Sequence, residues 1–152
     1  MRYSRILVPT DFSPAANAAL DCALDLAREF KATIVLMHVS SVASDAYAGI
    51  ANRASTDYTA ALEQVARDAL NGLVAAHAKA GVPIAGALYS GRAWEQVLQA
   101  IEQHAIGLVV IGTHGRSGIA HALLGSVAEK VVRLSPVPVL TVHPRSEAPS
   151  PT

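Results

Sequence analysis

Leu108-Val109-Val110-Ile111-Gly112-Thr113-His114-Gly115-Arg116-Ser117-Gly118 is the stretch on which the fold turns. Its first four residues are apolar without a polar break, and three of them are β-branched. A short run of that kind, closed by glycine, reads as a strand covered on both faces. After six intervening residues, Gly125-Ser126 opens a helical pattern that lasts to Leu134. Buried strand, glycine-rich loop and helix together form one unit of a parallel α/β sheet.

The same alternation extends in both directions. Towards the N-terminus, Ile6–Val8 is the first strand, ended by Pro9. Ser13-Pro14 supplies an N-cap and a proline at the first helical position. The helix that follows carries Ala18, Ala19, Cys22, Ala23 and Leu26 at spacings of three and four. Thr33–Val39 is the second strand, and the small, polar stretch from Ser40 to Thr56 reads as a loop. The second helix is expected over Asp57–Ala80, with an apolar stripe of Leu62, Val65, Ala69, Leu73 and Ala76. Gly81 would cap it, with Pro83 beyond. Ile84–Tyr89 is the third strand, and Ala93–His104 the third helix, whose core side is Trp94, Val97, Leu98 and Ile101.

Towards the C-terminus, Ser126–Leu134 is the fourth helix and Val137–Val142 the fifth strand. Pro138 lacks the N–H that a ladder needs, so this strand belongs at a sheet edge. Strands alternating with helices, joined by right-handed crossovers, give a single-domain, doubly wound, five-stranded parallel sheet. The domain spans residues 1–143. Residues 144–152, rich in proline and serine, form a flexible tail.

The chain has 152 residues, 51% hydrophobic and 16% charged, which is globular composition for one domain. Twelve basic and 12 acidic residues cancel. No basic block supports nucleic-acid or membrane-surface binding. No run approaches the ~18 apolar residues of a membrane helix, and the N-terminal residues lack the apolar core of a signal peptide. The single cysteine, Cys22, reads as a buried, inert thiol. A cytoplasmic, reducing setting fits these features.

The glycines carry the functional reading. Gly112, Gly115, Gly118 and Gly125 lie between a buried strand and a helix start. Residues without Cβ let backbone approach a ligand closely. Their N–H groups, with the positive end of the helix dipole, favour a phosphate. Ser126 adds a hydroxyl and Arg116 the nearest cation. The dinucleotide fingerprint is absent, and so is the lysine of a Walker A loop. Without that lysine, fast phosphoryl transfer has no evident electrostatic driver.

Gly112-x2-Gly115-x9-Gly125-Ser126 resembles the nucleotide-binding signature of the universal stress proteins. Ile6–Asp11, His38-Val39 and the closing Pro136-Val137-Pro138-Val139-Leu140 are similar to that family as well. The resemblance covers nearly the whole chain apart from the tail. It implies an adenine-nucleotide α-hydrolase-like sheet in the order 3-2-1-4-5, with ATP, with or without Mg2+, as ligand. Pro9, Thr10 and Asp11 would line the ribose and base, and Val39 would offer backbone groups to adenine. Ile111 and Gly112 would bracket the ribose. Gly115, Arg116, Gly125, Ser126 and Val127 would hold phosphates. Some family members lack the glycine signature and do not bind ATP; here it is complete. The resemblance also implies a homodimer through strand five, Val137–Val142.

Other polar residues have simpler readings. Asp11 is a ligand contact, a metal-side carboxylate or a turn former. His114 and His121 read as loop packing, since no cysteine or acid joins them at ligand spacing. His38 reads as a packed histidine. Ser126 lacks a nucleophile elbow, and Trp94 is core. Arg92 either reaches the crevice or is a solvated helix start. Three functions stay open: a nucleotide-binding stress-response or signalling module with slow or absent hydrolysis, an ATPase or nucleotidyl-transfer enzyme using Asp11 and Arg116, and a dimeric interaction protein that does not use nucleotide.

Overall fold

A computed structural model describes residues 2–40, 53–114 and 124–144. The elements run β1 (Arg5–Pro9), α1 (Pro14–Phe30), β2 (Thr33–Ser40), α2 (Arg53–Ala76), β3 (Ile84–Ser90), α3 (Ala93–Gln103), β4 (Leu108–Gly112), α4 (Ser126–Leu134) and β5 (Val139–Val142). Five strands form one sheet in the order β3-β2-β1-β4-β5. Every adjacent pair is parallel. All carboxyl ends therefore lie on one edge.

Two apolar layers show how the helices are shared. Ile6, Val8, Ile34, Leu36 and Val110 pack with Ala19, Leu20, Ala23 and Leu70 from α1 and α2. Leu7, Val35, Met37, Val109 and Ile111 pack with Val97, Ile101, Ala128 and Val131 from α3 and α4. Successive strand residues alternate between the layers, as the period of two requires. Both faces of β1 and β4 are buried, which explains why their sequences are apolar throughout.

Local chemistry sets the ends. The Ser13 hydroxyl accepts from the Ala16 amide at 3.2 Å and caps α1, with Pro14 as its first residue. Lys31, in the left-handed conformation at φ 52°, closes the other end. Of the side chains expected to form the core of α1, Ala19 and Ala23 are buried, while Cys22 and Leu26 flank the core half-buried. The Cys22 thiol is pushed above its ordinary value by desolvation, with Asp25 adding to the effect.

The second helix departs from expectation in three ways. It begins at Arg53, inside the expected loop, because no glycine or proline between Arg53 and Thr56 stops it. It ends at Ala76, after which tighter bonds such as Ala78 N–H to the Ala75 carbonyl take over. Gly81, at φ 76°, turns the chain after that segment and does not cap the helix. Finally, of the expected stripe Leu62, Val65, Ala69 and Ala76 are exposed, and the buried side chain is Leu70, with Leu73 and Val74 beside it.

The fifth strand starts at Val139, later than expected. The Ser135 hydroxyl donates to the Val137 carbonyl and accepts from its amide, which ties Val137 into a local turn. Pro138 precedes the strand, and its carbonyl accepts from Val109 at 3.0 Å. The strand is an edge, as the proline indicated.

Candidate functional site

The carboxyl edge of the sheet gathers the residues singled out above. The core layers place α1 and α2 on one face and α3 and α4 on the other. The crossovers thus part between β1 and β4, where open α/β sheets bind ligands. Asp11 follows β1, Val39 is near the end of β2, and Gly112 ends β4.

Thr10 is buried and fully engaged. Its amide donates to the Met37 carbonyl at 2.8 Å, and its hydroxyl accepts from the Phe12 amide at 3.0 Å. Its carbonyl lies 2.8 Å from His38 Nδ1. Asp11 Oδ1 accepts from the Ser13 amide at 3.0 Å, so one carboxylate oxygen shapes the turn into α1. Phe12 occupies the left-handed region at φ 65°, which is uncommon for a bulky residue. Its ring lies 4.7 Å from that of His38, tilted by 37°. Strain of this kind concentrates at functional sites. The sequence does not single out Phe12, because nothing in a Phe side chain announces positive φ.

A cleft of about 350 Å³ opens at this point. Asp11 and Phe12 line it from the β1–α1 turn, and His38, Val39 and Ser40 from β2. Leu62 and Val65 of α2 form an apolar wall. The volume lies in the range of small-molecule sites, and a few polar groups set among apolar walls are usual for them.

The start of α4, on the face of the sheet opposite α2, is a separate feature of the same carboxyl edge. The Gly125 amide donates to the Thr113 carbonyl, which pins the helix start to the end of β4. Gly125 has no side chain to cap α4, so among the described residues no side-chain cap is made to its first turn. Such a helix start favours an anion. Ile111 is buried, and Gly112 packs against the backbone of α1. Gly115, Arg116 and His121 lie outside the described residues.

The fully buried Thr113 hydroxyl sits 3.0 Å from Nδ1 of both His114 and His143. The sequence reading paired His114 with His121 and missed His143. The signal was the sheet order, since Gly112 and Val142 are register partners and their next residues are neighbours. Among the described residues, no three His, Cys, Asp or Glu side chains are grouped to hold a metal. No described helix is long and apolar enough to cross a membrane.

The model of the universal stress protein family matches residues 2–143. The chain belongs to that family. The universal stress protein YxiE of Bacillus subtilis is 31% identical over 147 residues, spanning 93% of this chain and 99% of its own. The solved structure of MJ0577, a universal stress protein of Methanocaldococcus jannaschii, superposes with a TM-score of 0.80. It is 25% identical and covers 97% of this chain and 100% of its own. A universal stress protein in complex with cAMP has a TM-score of 0.63 at 26% identity, over 94% of this chain and 98% of its own. This universal stress protein therefore shares its strand order and doubly wound layers with solved members of the family.

Proposed function

We propose that this universal stress protein is a cytoplasmic signalling module that binds an adenine nucleotide, ATP with Mg2+, and hydrolyses it slowly or not at all. The observation that carries the reading is the uncapped start of α4, held against the end of β4 by the Gly125–Thr113 hydrogen bond. Gly115, Arg116, Gly125, Ser126 and Val127 would hold the phosphates. Base and ribose would lie along Pro9, Thr10, Asp11, Val39, Ile111 and Gly112. The cleft beside Asp11 and Val39 has the size and lining for a base. The cAMP complex of a relative supports a cyclic or linear nucleotide as ligand class. With glycine, not lysine, before Ser126, the charge development of phosphoryl transfer lacks its usual partner.

The Gly125 conformation, at φ −65°, is open to any residue, so glycine is not needed there for backbone reasons. A Gly125→Val variant should fold, with a stability change of about 1 kcal/mol. Calorimetric titration should give saturable ATP binding to the wild type and at least a roughly tenfold loss in the variant. Unaltered binding in the variant removes α4 from the site. A wild type that takes up no ATP removes the reading as a whole.

The second part of the proposal is a homodimer through β5. This edge strand, with the adjoining α4, exposes Leu140, Val132 and Leu134. An uncovered edge with apolar neighbours favours pairing with another strand, and a two-fold contact is the commonest geometry.

A further inference from the structure

We propose that His38 reads the edge of the bound base, accepting a hydrogen bond from an amino group and rejecting a carbonyl at the same place. This rests on the nucleotide reading above and names the group that selects within it.

The argument starts from a carbonyl. Thr10 O lies 2.8 Å from His38 Nδ1, and a carbonyl can only accept. Nδ1 therefore carries the proton. In the neutral ring, Nε2 is then left as an acceptor with no hydrogen to give. Thr10 cannot swing away to release the ring. Its amide is bonded to Met37 O, its hydroxyl receives the Phe12 amide, and it is buried. The pairing of β1 with β2 thus imposes one tautomer on His38.

The ring is also held in place. It packs at 4.7 Å, tilted by 37°, against Phe12, whose left-handed backbone is fixed by the bond to the Thr10 hydroxyl. Its hydrogen bond to Thr10 is the one the ring makes among the described residues. With Nδ1 committed, Nε2 is the nitrogen the ring can offer to the cleft that it lines. The walls around it, Phe12, Val39, Leu62 and Val65, are apolar and suit the faces of a heteroaromatic ring.

An amino group and a carbonyl at the same position of a purine are opposite in hydrogen-bonding sense. An amino N–H satisfies Nε2. A carbonyl oxygen sets two acceptors against each other and leaves both without a partner, which is expected to weaken binding roughly ten- to hundredfold.

The test is calorimetric titration of the full chain with ATP, inosine triphosphate and N6,N6-dimethyl-ATP at about pH 8. The expected result is that ATP binds at least roughly tenfold tighter than both analogues, one bearing a carbonyl and the other lacking the amino hydrogens. His38→Phe, which keeps a ring against Phe12, should bind all three with similar affinity, near that of wild type for inosine triphosphate. Equal wild-type affinities overturn the proposal and leave the nucleotide reading standing, as does a wild-type preference that survives in His38→Phe. A wild type that binds none of the three overturns both. The analogue comparison needs no variant, so a poorly folding His38→Phe does not remove the test.

Discussion

Gly112, the last residue of β4, lies against the backbone of Ala15 in the first turn of α1. A Cβ on Gly112 would stand 2.7 Å from the Ala15 carbonyl carbon and 2.8 Å from its oxygen. Both are backbone atoms, so relief requires moving the helix. The glycine that the motif assigns to a ligand is thus also required where α1 crosses β4. Gly112→Ala should destabilise the protein by roughly 1–3 kcal/mol without any nucleotide present. Urea unfolding measures this; an unchanged midpoint would show that α1 shifts freely.

The two apolar faces of α2 make a second prediction. Leu70 is buried and packs beside Gly86 of β3, where an added Cβ would meet its Cγ at 3.3 Å. Leu70→Ala should cost about 2–5 kcal/mol. Leu62 is exposed on the cleft wall, so Leu62→Glu should change stability by no more than about 0.5 kcal/mol. If the two variants unfold alike, the helix does not sit on the sheet as described.

This contrast shows where the sequence could be read and where it could not. The alternation of apolar runs with helical spacing was enough for the elements, since each buried strand must be covered by a helix. The order of the strands came from the family resemblance. In α2, the expected stripe joined Leu62 and Val65 to Leu73, because all recur at helical spacing. Periodicity reports which residues share a face, not which of two neighbouring apolar faces the sheet takes: Leu70, Leu73 and Val74 pack on the core while Ala69 and Ala76 stay exposed. The site divides in the same way. Asp11, Val39, Gly125 and Ser126 were visible as motif residues at strand and helix ends. Phe12 and the acceptor role of His38 were not, because both depend on the Thr10 carbonyl and hydroxyl, which only the paired strands fix in place.

Cys22 yields a prediction about pH. Desolvation first, and the Asp25 carboxylate second, raise the thiol above its ordinary value. The thiolate is the reactive form, so less of it is present at neutral pH than in an unperturbed cysteine. Alkylation by iodoacetamide in the native protein should be slower than in a model thiol at pH 7.5. The rate should still be climbing as pH rises past the ordinary thiol range. A rate that levels off at or below that range would contradict the assignment.

The edge at β5 supplies the last prediction. The carbonyls of Pro138 and Val142 both point to β4, where they accept from Val109 and Thr113 at 3.0 Å. Along a strand the backbone groups alternate in direction, so the amides of Val139 and Thr141 face away from the sheet. These are the groups that a second copy would use in antiparallel pairing across a two-fold axis. Thr141→Pro removes one of them without touching the β4 ladder, and proline is tolerated at an edge. Sedimentation of the wild type at micromolar concentration should show a dimer, and the variant a monomer with unchanged secondary structure by circular dichroism. A variant that remains dimeric moves the interface away from β5. A wild type that sediments as a monomer leaves the exposed Leu140 and Leu134 without the partner proposed for them.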